Sequence, residues 1–273
     1  MFKRFLAIAG LAILVAGLNS CGKKQDDSNL TQGLPLDVQK KIVSLGFTPD
    51  NAYKTDGGYI VENDIFLTDE DLNTGWNETV LRVGDAEQYR TTNTVTGLPR
   101  NINVYIKTSG SKALPTSYAA ALDNALSRYN ALGLSLTFTR ITTTSGANIQ
   151  ITKAPAGAQY LASSGFPTSS GNPYNSVVVN STYLGSNPNQ NYLATILAHE
   201  IGHCIGFRHT DYMDRSYSCG GSYYNEGSAG VGAIQIPGTP AGPDPNSWML
   251  ACISANQNRP FNSNDIIALN YMY

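Results

Sequence analysis

Hydrophobic residues recur along the chain in two rhythms, and the breaks between them divide it into elements. Residues 36–45 (LDVQKKIVSL) carry apolar side chains at helical spacing and stop at Gly46, which predicts a short helix. In 57–72 (GGYIVENDIFLTDEDL), Tyr59 and Val61 and then Ile65 and Leu67 alternate as in a strand, with an interruption at Glu62, Asn63 and Asp64. Residues 84–99 lack apolar periodicity and read as a connector, a candidate domain boundary. From Arg100 the alternation sharpens. NINVYIKT (101–108), LSLTFTRI (134–141), NIQITKA (148–154) and SVVVN (176–180) are four predicted strands. Between the first two, Pro115 opens a helix over 116–132 with a stripe of Ala121, Leu122, Ala125, Leu126 and Tyr129, closed by Gly133. Residues 191–206 read as a second long helix, and 262–273 (NSNDIIALNYMY) as a capped terminal one. The Ser-, Gly-, Pro- and Tyr-rich stretch 155–175 reads as a loop forming the wall of a cleft, and the glycine- and proline-rich stretch 210–247 as irregular structure.

The N-terminus changes the picture. Lys3 and Arg4 precede an apolar run, Phe5 to Leu18, that is shorter than the roughly 20 residues needed to span a bilayer, so it reads as a signal-peptide core. The run ends in Leu18-Asn19-Ser20-Cys21, which resembles the lipobox of bacterial lipoproteins and makes Cys21 the acylated first residue; the alternative is ordinary secretion with an incidental cysteine. Residues 22–27 (GKKQDD) resemble the charged tether of Bacteroidota surface lipoproteins. The expected location is extracytoplasmic, lipid-anchored in a bacterial membrane, at the outer membrane or cell surface. A composition with 41% hydrophobic and only 14% charged residues fits that compartment. Removing residues 1–20 leaves 16 of the 18 basic residues against 20 acidic ones, a net charge of −4, and no basic patch suggests a nucleic-acid partner. The chain is expected to be a monomer that meets the membrane through its lipid alone.

All three histidines fall within HEIGHCIGFRHTD (199–211). On a helix, His199 and His203 are four residues apart and project from one face, where both imidazoles can hold a single ion. Glu200 lies to the side of that pair, within reach of a water on the metal. Gly206 can end the helix in a left-handed conformation that other residues adopt at a cost of about 1 kcal/mol, and His209 then follows as a third nitrogen ligand. Three imidazoles and an open fourth position describe a catalytic site for one zinc ion, because a structural site is closed by four protein ligands. Glu200 is then the general base for attack of water on a carbonyl, and the expected partners are protein or peptide substrates. The competing reading is a surface lipoprotein in which zinc stabilises the fold for a binding or adhesion role and nothing is catalysed.

The spacing H-E-x-x-H-x-x-G-x-x-H resembles the signature of the metzincin zinc metallopeptidases, and HEIGH within it resembles the dual-action HEIGH metallopeptidase family, of myxobacterial protease type. The resemblance covers roughly residues 57–273. It implies an α+β, zincin-like fold: a twisted, mostly parallel five-stranded sheet with two long helices, an irregular lower subdomain and a C-terminal helix. It also implies a methionine turn beneath the metal, for which Met249 in Ser247-Trp248-Met249 is the candidate. The position two residues beyond, a tyrosine in some branches, is Ala251 here. Asp211 either fixes a ligand imidazole or caps its loop. Residues 61–65 (VENDI) resemble the segment of astacin prosegments whose aspartate occupies the fourth metal position, which marks Asp64 as a possible latency ligand, released by cleavage between Arg82 and Arg100; an ordinary N-terminal hairpin is the alternative. The expected division is a signal peptide at 1–20, a tether at 21–35, an N-terminal segment or prosegment at 36–99 and a catalytic domain at 100–273. With Cys21 acylated, a bridge between Cys219 and Cys252 would tie the lower subdomain and leave Cys204 a buried thiol, while a bridge from Cys204 to Cys252 stays open.

Overall fold

Alternation in the strands places one row of side chains in a core and leaves the other row outside. The computed structural model describes residues 33–45, 47, 49–74, 88–227, 231–240 and 242–273, so the expected signal peptide, Cys21, most of the tether and Arg82 lie outside the described residues. In chain order, α1 (Leu36–Ser44) leads into β1 (Tyr53–Thr55), β2 (Gly58–Val61), β3 (Ile65–Thr68) and α2 (Asp69–Thr74). Then come β4 (Tyr89–Arg90), β5 (Arg100–Ile106), α3 (Ser117–Asn130), β6 (Leu136–Ile141), β7 (Ile149–Lys153), β8 (Ala162–Ser163) and β9 (Ser176–Val179). The chain closes with α4 (Ser181–Leu184), α5 (Gln190–Ile205), α6 (Ser216–Cys219), β10 (Ile234–Gln235) and α7 (Ser263–Met272).

The central sheet has the order β6-β5-β7-β9-β8, parallel except for the antiparallel edge strand β8. This is the mostly parallel five-stranded sheet that the resemblance implies. Its fifth strand comes from two residues of the stretch 155–175, which has no strand periodicity of its own. Ile102, Val104, Ile106, Leu136, Phe138, Ile149, Ile151, Val177 and Val179 point to one face and pack against α3 and α5. The opposite face carries Asn101, Asn103, Thr137 and Thr139, joined by hydrogen bonds such as Thr139 Oγ1 to Asn101 Oδ1 (2.9 Å). That one-sided burial explains why these parallel strands alternate instead of being apolar throughout.

Two departures concern the N-terminal third. The alternation of 57–72 ends at Thr68, because Asp71 accepts from the Thr68 N–H (2.8 Å) and its hydroxyl (2.7 Å) and turns the chain into α2. Residues 88–99 are not a domain boundary: 34–273 form one compact unit. β4 pairs with β10, the Thr91 N–H donates to the Gly206 carbonyl (2.8 Å), and Val95 is buried. Backbone pairing replaces apolar periodicity there, so the sequence pattern carries no trace of it.

Asp265 holds the lower part together. It completes a capping box at the start of α7 with Asn262. Its carboxylate also accepts from Gln88 Nε2 (2.6 Å), Ser247 Oγ (2.8 Å) and the Trp248 N–H (3.3 Å). Burial pushes its carboxyl up to about 7 from an ordinary 3.8, against the hydrogen bonds that lower it. The folded chain therefore keeps a proton that the unfolded chain releases above pH 4, and Asp265 loses stabilising effect as pH rises from about 4 to about 7. Urea unfolding across that range should show a shallower decline for Asp265→Asn than for the wild type; parallel slopes would contradict this assignment.

Candidate metal centre

The helix α5 that carries the histidines is positioned at both ends. The Asn189 side chain caps it by accepting from the N–H groups of Asn191 (3.0 Å) and Tyr192 (3.1 Å). At the other end Gly206 adopts φ 111°, and a Cβ there would meet the Asn93 carbonyl oxygen and Thr91 Oγ1 at 3.2 Å, so glycine is required on both counts. Gly202 answers to a third constraint. A Cβ on it would lie 2.6 Å from Met249 Sδ, because the fully buried Met249 packs directly against the helix at this point. The glycine of HEIGH and the methionine 47 positions later are two halves of one contact.

His199, His203 and His209 converge. Their Nε2 atoms lie 3.0 Å apart for His199 and His203 and 3.2 Å apart for His203 and His209. Each Nδ1 is engaged by an acceptor: the Trp248 carbonyl for His199, the Phe207 carbonyl for His203 and Glu226 Oε1 for His209, all at 2.8 Å. Carbonyl and carboxylate oxygens only accept, so each Nδ1 carries the hydrogen and each Nε2 presents a lone pair to the common point. Three lone pairs facing one another in a buried place repel unless a cation lies between them. A metal ion fits this donor set, since two nitrogens about 2.0–2.1 Å from one zinc in a tetrahedron sit about 3.4 Å apart.

Asp64 reaches the same point from the turn between β2 and β3. Its Oδ2 lies 3.0 Å from His209 Nε2 and 3.7 Å from His199 Nε2, and all four donor atoms fall within 4.8 Å of one another. Burial raises the Asp64 carboxyl, and it falls well below its ordinary range only against a positive charge at the imidazoles, which a proton on His209 supplies and a metal ion between the three lone pairs would supply in its place. The turn is fixed against the sheet edge: the Phe66 N–H donates to the Ser164 carbonyl (2.8 Å) and the Ser164 N–H to the Asp64 carbonyl (3.0 Å), a parallel bridge beside β8. Residues 64–66 thus lie against the edge through this one isolated bridge.

Glu200 is buried next to the histidines, and Ser164 Oγ donates to its Oε2 (2.6 Å). Burial first and the Asp64 charge second raise its carboxyl well above the ordinary range, while the Ser164 hydrogen bond opposes them. A cavity of about 390 Å³ opens beside Glu200 and His199, between residues 159–162 and the stretch that follows the methionine turn. Asp211 accepts from the Ala251 N–H (2.9 Å) and Ser218 Oγ (2.5 Å), so it caps the loop. The carboxylate that orients a ligand is Glu226, which the sequence reading missed: a single acid in a glycine-rich stretch, 17 residues past His209, carries no signal of its own. Buried Arg208 and Arg215 flank it at 3.4 and 3.1 Å. Burial is outweighed there by His209 and Arg215, and the Glu226 carboxyl falls to about 2. Cys219 and Cys252 form a disulfide with S–S 2.06 Å, and Cys204 is a buried free thiol.

A buried histidine cluster with an adjacent carboxylate, in a cleft at the edge of a mostly parallel sheet, fits a metal-dependent hydrolase. The sequence comparisons narrow the class: the model of the dual-action HEIGH metallopeptidases matches residues 60–273, and the chain belongs to that family. Two solved structures of myroilysin are similar, at 13% and 14% identity with TM-scores of 0.39 and 0.43. They cover 66% and 67% of this chain and 86% and 96% of their own. No curated protein matches. The assignment rests on the family match.

Glu226→Gln keeps the shape of the His209 partner and removes its charge. Zinc affinity, measured by competition with a chromogenic chelator, should weaken about ten- to a hundredfold; unchanged affinity would remove Glu226 from the site.

Proposed function

We propose that the chain is a zinc endopeptidase that is held latent by Asp64 and tethered to a bacterial membrane by lipid on Cys21. The observation that carries the catalytic reading is the convergence of three Nε2 lone pairs beside the buried Glu200 at the mouth of a cavity. His199, His203 and His209 would hold the ion, which when bound supplies a Lewis acid for the scissile carbonyl and eases the deprotonation of water. Glu200 takes the proton of the water that attacks the carbonyl carbon. It returns that proton to the amine nitrogen as the C–N bond breaks. Ser164 directs the Glu200 carboxylate, and a raised carboxyl suits a group that must both accept and deliver a proton. Met249 packs beneath the site, against Gly202.

Latency is supported by the position of Asp64. Its carboxylate stands where the attacking water must come, and residues 64–66 take up backbone groups of the sheet edge that an extended substrate would use. Activation then requires the segment to leave. A cut at Arg90 would sever β4 and one at Arg100 would free the first residue of β5, so the productive cut falls in 75–87, where Arg82 is the one arginine. The catalytic body after that cut includes residues 88–99, not only 100–273. The tether reading rests on the lipobox resemblance, and among the described residues no helix is long and apolar enough to cross a membrane.

The purified full chain should cleave casein weakly, and Asp64→Ala or a cut after Arg82 should raise the rate at least tenfold. Glu200→Gln should abolish cleavage in the activated chain while one zinc per chain is retained; cleavage at the wild-type rate by that variant would sink the mechanism. Independently, Cys21→Ser should move the protein from the membrane fraction to the soluble extracytoplasmic fraction, and an unchanged distribution would refute lipid anchoring.

A further inference from the structure

The cavity beside Glu200 is lined by a guanidinium that forms no ion pair among the described residues. Arg259 exposes 9% of its surface and lines this cavity together with Thr195, Ile196, His199, Trp248 and Leu250. Its Nη1 donates to the Cys252 carbonyl (2.8 Å), which holds the side chain, and its backbone N–H donates to Thr195 Oγ1 (3.0 Å), which holds the chain it springs from. Its Nε is buried with no hydrogen-bond partner. The two other arginines buried near the site pair with Glu226, whereas among the described residues no carboxylate forms an ion pair with Arg259. Asp211 and Asp265 act on it through space, but each is taken up in hydrogen bonds of its own. A buried, held and unpaired arginine is costly, and a protein keeps one where a ligand completes it.

We infer that Arg259 determines specificity, and that the cavity takes the side chain of an acidic residue, aspartate or glutamate, flanking the scissile bond. This deepens the peptidase reading and rests on it. Ile196, Trp248 and Leu250 line the cavity beside it, and the guanidinium offers a carboxylate a charge-assisted hydrogen bond. Two carboxylates face the cavity now. Asp64 departs with the segment, and Glu200 belongs to the reacting bond. Arg215 also lines the cavity but stays paired with Glu226 (3.1 Å), and departure of the segment takes the Asp64 carboxylate out of the lining, which makes the cavity less negative. A lysine or arginine side chain of a substrate would meet the Arg259 guanidinium and be refused.

The test uses the full chain, zinc-loaded and cut after Arg82, on peptide pairs that differ only in Asp against Asn at each position beside the scissile bond. At one position the wild type should favour Asp about tenfold or more in kcat/KM, the effect of one hydrogen bond between charged partners. Arg259→Gln should bring that ratio close to one, Arg259→Lys should keep part of it, and Arg259→Glu should favour a lysine peptide. An equal rate on Asp and Asn peptides by the wild type, or an undiminished Asp preference in folded Arg259→Gln, overturns the inference and leaves the peptidase standing. Failure of the cut, zinc-loaded wild type to cleave any peptide overturns the peptidase reading itself. Where an Arg259 variant does not fold, as judged by its thermal transition, the wild-type ratio decides alone.

Discussion

The rest of the centre depends on three N–H groups being spoken for. Because Nδ1 of each histidine donates to an acceptor 2.8 Å away, the imidazoles can neither rotate nor exchange tautomers without losing a buried hydrogen bond, and their Nε2 lone pairs stay aimed at one point. The three acceptors differ in kind. For His203 it is the carbonyl of Phe207, four residues on, supplied by the same turn that Gly206 makes possible. For His199 it is a carbonyl from a remote turn, and for His209 a carboxylate held at about 2 by its cationic neighbours.

The remote turn links the centre to the end of the chain. The Trp248 carbonyl is available to His199 only while the stretch 247–249 keeps its path, and that path is pinned by Asp265 through Ser247 Oγ and the Trp248 N–H. Gln88, just ahead of β4, binds the same carboxylate and Ser247 Oγ, and the Met249 carbonyl accepts from the Thr210 N–H directly after His209. The cap of the last helix, the entry to the first strand of the body and the three histidines therefore form one connected set. Gly202 is the point where this set touches α5, with no room for even a methyl group. Met249 matters for the space it fills and the backbone it carries, not as a ligand.

Much of this was legible in the sequence, and what was not has a physical reason. The histidine spacing, the glycine bend, the four longer helices and four of the five strands of the central sheet appear as periodicity or fixed offsets, because they express local geometry. β8 escaped because two residues cannot show a period, and residues 88–99 because β4 is held by backbone pairing and by a few buried side chains. Ser164, Glu226 and the Trp248 carbonyl serve the site through contacts across 17 to 49 positions, and a backbone oxygen leaves no mark in a sequence at all. Asp211, close to His209 in sequence, serves the loop instead, which shows that proximity along the chain is a poor guide to which acid orients a ligand. Asp64 was legible only as a likeness in five residues; the convergence of its carboxylate with the histidines comes from the hairpin.

That hairpin also carries its own tendency to leave. Glu62 and Asn63 both have left-handed backbone, with φ of 53° and 68°, a conformation that costs non-glycine residues free energy and persists only where surroundings impose it. The Glu62 carboxylate is buried with neither oxygen hydrogen-bonded, and burial and the like charge of Glu226 raise it well above the ordinary range despite Arg208 and Arg215 nearby. Against these costs stand the bond from Arg215 to the Glu62 carbonyl, the bridge to Ser164, and an apolar cluster in which Val61, Ile65 and Leu67 pack with Phe166 and Val231 of the body. The apolar contacts are favoured by the high effective concentration that the connected chain gives the hairpin at the cleft. A chain cut downstream of α2 loses that connection but none of the turn's costs, so the balance shifts towards release. The same turn that delivers Asp64 to the histidines is thus poorly suited to remain there once it is no longer tethered.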